Sequence, residues 1–340
     1  MSLNLGEETQ IFKHSKDFEQ GSGNIRTGQS TYVVSLDGSG DFASIQEAIN
    51  ALPSKGGIIY IKEGTYVLTT KVNITKSNTK IEGTGFGTII YGYTGVNEPL
   101  FEINGKESII IENLKFQSTT ANSDGIHLHG TTRVEIIHCW FTGQQGVCIL
   151  TDGTTESCII SENQFGTEFS TAITSNEIIN KSIISNNIIV GPGTDTTKDG
   201  IAIHEANQCI YSGNNISAIG HNGITMIHGT RNIIEANNIS GLDSSWTQEG
   251  ITLGYSSSYY CTNCIIQGNI VLDFKYGIKI YYGDNCIIAN NRVESCVTTG
   301  IYIKNAGSDR NVVVGNIALN NGTNYTDEGT LTDAGHNIIA

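Results

Sequence analysis

Proline is scarce in this chain, and so is charge. Three prolines among 340 residues stand beside 40 glycines. That balance suits many short strands joined by tight turns, because glycine and asparagine adopt positive φ at little cost. Long helices are not expected. Charged residues make up only 15% of the chain, and 33 acidic against 19 basic residues leave a formal net charge of -14. The electrostatic footprint of a nucleic-acid binder is therefore missing. Binding of a polyanion would need a cation or a local basic patch. No run of roughly 18 apolar residues occurs, so no membrane-spanning helix is expected. A charged-then-apolar leader is not visible either.

What is present is repetition. A β-branched run, an asparagine, an apolar pair, a polar turn and Gly-Ile-x-Ile recur along the chain. Aligned on the first half, the series runs Asn113, His138, Asn163, Asn187, Asn214, Asn237, Asn269, Asn291 and Asn316. Aligned on the second half it runs Gly125, Gly146, Gly200, Gly223, Gly250, Gly277 and Gly300, with Ala172 standing in for a missing glycine. A period of about 25 residues predicts a solenoid in which each repeat buries its apolar face only against its neighbours.

The cysteines follow the same period. Cys158, Cys209, Cys264 and Cys286 each lie five residues before the repeat's asparagine, the slot that Ser182 and Asn232 fill elsewhere. They read as a stacked ladder of small buried side chains rather than as a disulfide framework. Cys261-x-x-Cys264 has metal-like spacing but no second pair.

Three regions follow. Residues 1–31 form an aperiodic, polar N-terminal arm, 32–320 the solenoid, and 321–340 a closing segment. Within the second region, Ser44 and Glu47 make a capping-box pattern ahead of Ile45, Ala48, Ile49 and Leu52. A short helix is expected there, covering the open end of the first coil and its strand edges.

The stretch Asp37-Gly-Ser-Gly-Asp-Phe-x-Ser-Ile-Gln-x-Ala-Ile49, followed by Gly57-Ile-Ile-Tyr-Ile-Lys-Glu-Gly-Thr-Tyr66 and Ile81-Glu-Gly-Thr-Gly85, resembles the opening segment of pectate-lyase-like proteins. The Gly-Ile-x-Ile and Asn-x-Ile repeats are similar to the parallel β-helix repeats of that superfamily, over about residues 32 to 320. The resemblance implies an all-β, right-handed parallel β-helix with a short N-terminal capping helix. It leaves the activity open, since the superfamily spans polysaccharide lyases, glycoside hydrolases, sugar epimerases, phage tailspikes and noncatalytic surface proteins.

In such a fold the outward residues of the Gly-Ile-x-Ile strand form a lengthwise strip suited to a chain-like ligand. Two insertions, 191–200 and 241–250, lead into that strand two coils apart, with Gly220-His-Asn-Gly223 between them. They are expected to gather Asp195, Lys198, Asp199, His221, Asn222, Asp243, Trp246 and Glu249, with His204, Glu205 and His228 on the strands leaving them. Asp199 and Glu249 precede equivalent glycines, which places their backbones about 9 to 10 Å apart. Such a pair suits an inverting glycosidase, one acid protonating the leaving oxygen and one base activating water. Asp-Gly is also an ordinary turn pair. For a lyase, His204, His221, His228 or Lys198 would supply the base. Trp246 offers a stacking face, and Tyr276, Tyr281, Tyr282 and Tyr302 make an aromatic strip toward the C-terminal end.

His127 and His129 share a strand face and are a candidate metal pair with no third ligand evident. The polygalacturonase pattern of an aspartate pair and a later Gly-His-Gly is not matched, because Gln144-Gln145 precedes Gly146 and Asn222 follows His221.

The expected function is therefore carbohydrate-active, binding an extended polysaccharide on the outer face and cleaving or modifying it by lyase or hydrolase chemistry. The alternative is a noncatalytic structural or receptor-binding β-helix such as a tailspike or surface fibre. No cofactor is required, and a divalent cation such as calcium is compatible. A homotrimer through the arm or a solenoid face, and an extracellular, virion or cell-surface location, complete the expectation.

Overall fold

Each coil of the chain lays down three short strands, and equivalent strands of successive coils pair in parallel. The computed structural model describes residues 30–92, 98–118, 123–143, 146–191, 197–242 and 248–339. One sheet of 12 strands forms the third face of the solenoid, and a continuous 27-stranded sheet wraps the other two. The first of those faces carries the Gly-Ile-x-Ile strands. The fold is an all-β, right-handed parallel β-helix. Its helix, Ile45–Ala51, buries Ile45, Ala48 and Ile49, and the Ser44 side chain accepts the Glu47 N–H as the capping pattern requires. No helix among the described residues is long and apolar enough to cross a membrane.

The register explains why the sequence repeats. Ile126, Ile149, Ile173, Ile201, Ile224, Ile251, Ile278 and Ile301 are consecutive partners on the first face. Each is buried. Removing an isoleucine side chain from water stabilises by about 1.5–3 kcal/mol, and here each methyl packs on its own copy one coil away. Phe116, Phe141 and Phe165 do the same on the third face, stacked at 5.1 and 5.0 Å.

The asparagine column is interior and structural. Asn214 Oδ1 accepts the Asn187 N–H at 3.1 Å and its side-chain amide at 2.9 Å, while Asn214 Nδ2 donates to Ile184 O at 3.0 Å and to Asn237 Oδ1 at 2.9 Å. The pattern continues through Asn269, Asn291, Asn316 and Asn337. A turn that would otherwise bury unpaired backbone donors thereby satisfies them coil by coil.

Two alignments need correction at the early coils. Cys139, not His138, donates its N–H to Asn163 Oδ1 at 2.9 Å. His138 and Asn113 instead occupy the left-handed turn one residue earlier, with φ of 52° and 57°. Asparagine suits both positions, so the residue type did not separate them. On the first face, Ile126 pairs with Ile149, which places Cys148 rather than Gly146 opposite Gly125.

The cysteine ladder holds: Cys158 N–H donates to Ser182 Oγ, Ser182 N–H to Cys209 Sγ, and Cys209 N–H to Asn232 Oδ1. All eight thiols are buried and free. Burial pushes the thiols of Cys139 and Cys296 up to about 12. The closing segment is built as a last coil, its strands Thr323–Asp327, Asp333–Gly335 and Ile338–Ile339 pairing in parallel on the coil before. Residues 1–29, which hold nearly all of the expected arm, lie outside the described residues.

Candidate functional site

The outward column that begins the first face is chemically mixed, unlike the interior isoleucine and asparagine columns. Asp199, Asn222, Glu249 and Tyr276 follow one another on successive rungs. Gly200, Gly223 and Gly250 come next and let the chain turn inward close to its neighbour. A Cβ on Gly223 would lie 2.4 Å from Ile239 Cγ2, and one on Gly250 2.2 Å from Val271 Cγ1. The glycines thus set the position of the polar residue before them.

Hydrogen bonds tie the column together. Asp199 Oδ1 accepts the Asn222 N–H at 3.0 Å and lies 2.8 Å from His221 Nδ1. Asn222 Oδ1 accepts the Glu249 N–H at 3.1 Å, and its Nδ2 is 3.0 Å from His221 Nδ1. The hydrogen bond to Asp199 raises the His221 pKa above its ordinary 6.5, burial opposes the rise, and the charges of Asp199 and Glu249 add to it. Asp199 and Glu249 are two rungs apart, about 9.6 Å between backbones.

At the other end, Lys279 Nζ lies 2.8 Å from Glu249 Oε1 and donates to Tyr281 Oη at 2.8 Å. Its ammonium sits 3.8 Å from the ring centre of Tyr276 and 4.1 Å from that of Tyr281. The lysine side chain is only 4% exposed. Two aromatic faces and a carboxylate are what make a charge at that depth tolerable. Tyr276 in turn stacks on Tyr302 at 5.8 Å.

The structure therefore brings together Asp199, His221, Asn222, Glu249 and Tyr281. The Lys198 carbonyl accepts the His221 N–H at 3.0 Å, so its backbone borders the group. His204, Glu205 and His228 sit elsewhere. They are about five residues further along the strand, roughly 16 Å away, where His228 Nδ1 is 3.4 Å from Glu205 Oε2 and both histidines face Tyr259. Asp195, Asp243 and Trp246 fall outside the described residues.

Lys279 was missed by the sequence reading. It occupies the x of Gly-Ile-x-Ile, a position expected to face solvent, and its register partner is Thr252, three residues past Glu249 on the same strand. Two tyrosines at Tyr276 and Tyr281 flanking a lysine were the available signal. A third candidate ligand near His127 and His129 was missed as well: Asp152 lies one rung on, directly beside His129.

Comparison with known proteins agrees with the fold. A family described as "Right handed beta helix region" matches residues 199–339, and "Pectinesterase" matches 31–124. A curated relative, "Probable pectinesterase/pectinesterase inhibitor 17" of Arabidopsis thaliana, is 30% identical over 130 residues, 35% of this chain and 25% of that protein. The chain thus spans about a quarter of that relative. Among solved structures, the Dettilon tailspike protein is similar with a TM-score of 0.69 at 16% identity, over 84% of this chain and 60% of that one. DFA-IIIase from Arthrobacter chlorophenolicus A6 without its lid gives 0.70 at 14% identity, over 89% and 93%. At such identities the likeness speaks to architecture. The coil register, the capped first rung and these matches together show a right-handed parallel β-helix, the fold that the repeats resemble.

Proposed function

We propose that the protein binds an extended polysaccharide along the first face and cleaves or modifies it at the Asp199–Asn222–Glu249 column. The observation that supports this reading is the column itself. It is a hydrogen-bonded run of acid, amide and acid on an outer strip, with an imidazole at one end and a tyrosine-flanked lysine at the other. The strip has the shape of its ligand, since parallel rungs repeat about every 4.8 Å and present a straight row of side chains to a linear chain.

In this reading Asp199 fixes the His221 ring through Nδ1 and leaves Nε2 to exchange a proton with the ligand. Glu249, held by Lys279, faces the same stretch of glycan about two rungs on. Hydrolysis needs a proton at the leaving oxygen and a base for water, whereas elimination needs a base at the carbon next to a uronate carboxyl. His221 serves in either. The relative named as a pectinesterase is in keeping with a glycan ligand. An extracellular, virion or cell-surface location and assembly as a homotrimer belong to the same proposal, the latter tested by light scattering of the full chain.

One observation favours the noncatalytic alternative. Both carboxylates already have a cationic partner at 2.8 Å, Asp199 in His221 when protonated and Glu249 in Lys279. A receptor-binding strip would keep them so. The experiment is a panel of purified polysaccharides, read by unsaturated-uronate absorbance and by reducing ends, with Asp199→Asn, His221→Gln and Glu249→Gln alongside. Product formed by wild type and lost in all three variants supports the reading. Activity untouched by the three substitutions overturns this site. Binding without turnover across the panel turns the reading to the alternative.

A further inference from the structure

We propose that His127, His129 and Asp152 form a site for a divalent transition metal such as zinc, nickel or cobalt, on the same outer face but independent of the Asp199 column. One ligand atom from each residue lies within 4.8 Å of the other two. Asp152 reaches both rings with different oxygens: Oδ2 is 2.9 Å from His127 Nε2, while Oδ1 bonds His129 Nδ1. A metal with bonds of about 2.1 Å holds neighbouring ligand atoms about 3 to 3.5 Å apart. Small rotations of the side chains therefore bring all three atoms into one coordination sphere.

The second observation is an orphaned nitrogen. His127 Nε2 is shut off from solvent and has no properly directed hydrogen-bond partner, even though Asp152 Oδ2 is so near. A buried ring nitrogen without a partner costs free energy. Its lone pair directed at a shared cation would remove that cost, and the approach of a carboxylate oxygen to 2.9 Å off the hydrogen-bond direction is what two ligands of one ion show.

The backbone holds the set in place. His127 and His129 are alternate residues of one strand and so share its outer face. His129 is the register partner of Asp152, one rung apart. Gly130 donates its N–H to the Asp152 carbonyl at 2.9 Å, and Gly153, at φ of 58°, lets the following turn lie against Gly130, where a Cβ would meet its nitrogen at 2.8 Å.

The donor set selects the class of ion. Two imidazoles and one carboxylate suit borderline metals, whereas calcium takes six to eight oxygens. Three protein ligands leave the remaining positions to water or to hydroxyls of a ligand on the strip.

The test uses the full chain after treatment with a chelator, titrated with zinc, nickel or cobalt salts in a calorimeter. Cobalt absorption in the visible region reports the coordination. The expected result is one equivalent bound per chain, and a rise in melting temperature with metal concentration. His129→Gln, whose side chain is half exposed, and Asp152→Asn should each weaken binding by at least the roughly 10- to 100-fold that loss of an outer partner costs, while leaving the metal-free melting temperature unchanged. Absence of stoichiometric binding by wild type overturns the proposal, and so does binding that persists in the His129→Gln, Asp152→Asn double variant. None of these readouts depends on turnover of a polysaccharide.

Discussion

Two of the asparagine-bearing columns that run along this solenoid differ in what their neighbours are. The interior one repeats asparagine from Asn163 to Asn337, each amide bonded to the next. The outer one holds a single asparagine, Asn222, between Asp199 and Glu249. A column of identical residues solves one recurring problem, the buried donors of a turn. The outer column answers no such recurring demand, and its mixture of acid, amide, imidazole and lysine calls for a local explanation.

The sharpest way to break this contrast is to substitute inside the interior column. Asn214→Leu leaves the Asn187 N–H without its partner in a dry interior and removes one bond each from the Asn187 amide, which keeps Ile160 O, from the Ile184 carbonyl and from Asn237 Oδ1. At about 1–3 kcal/mol for an orphaned group and about 1 kcal/mol for a lost hydrogen bond, a loss of roughly 4 kcal/mol is expected, read by urea unfolding. A loss below about 1 kcal/mol would mean that the ladder does not carry the turns.

Next comes the outer column's own buried ion. Lys279→Met strands Glu249, so a loss of about 3 kcal/mol is expected, and Glu249→Gln in the same chain should recover most of it. Chemical denaturation of the two single variants and the double one closes that cycle. Equal losses that simply add would show the pair to be uncoupled.

Asn222→Ala should cost about 1 kcal/mol of stability, because it takes the acceptor from a single backbone donor, the Glu249 N–H, yet reduce turnover of a responsive polysaccharide by about 100-fold through misplacement of the acids. Initial rates at saturating substrate decide it. Unchanged rates would put the column on the structural side of the comparison.

The electrostatic tie between Asp199 and His221 has a defined sign. Its contribution to stability is fully present below the ordinary histidine value of 6.5 and is lost as pH rises through the higher value of the folded state. Imidazole resonances followed by NMR should titrate above 6.5 in wild type and return toward 6.5 in Asp199→Asn. The smallest effect is expected at an exposed pair: His138→Ala, which removes the 2.7 Å contact to Glu162, should change stability by less than about 0.5 kcal/mol in thermal melts.

The fold was legible in the sequence for a mechanical reason. In a parallel solenoid each coil repeats the demands of the last, so the period, the isoleucine pairs and the inward asparagines all report one geometry. The helix at Ile45–Ala51 was legible from its cap and its apolar face. The Asp199–Asn222–Glu249 column was legible because glycines mark its register. Lys279 was not, since a strand's alternation predicts exposure and does not foresee two tyrosine rings closing over an ammonium. Asp152 was lost to a register slip. Taking Gly146 as the partner of Gly125 sets Leu150 opposite His129, whereas the true pairing of Ile126 with Ile149 sets Asp152 there. A slip of that kind reassigns every neighbour across the rung.

The interior amide ladder also dictates how such a chain can change length. Steps between bonded asparagines range from 21 to 32 residues, as from Asn316 to Asn337 and from Asn237 to Asn269, yet each amide still meets its mate. Extra residues are therefore absorbed in the loops between strands, while one residue added within a strand would swap its wet and dry sides. Whole-coil duplication or excision is the editing step that this architecture accommodates, and it moves reactive groups along the axis in units of one rung.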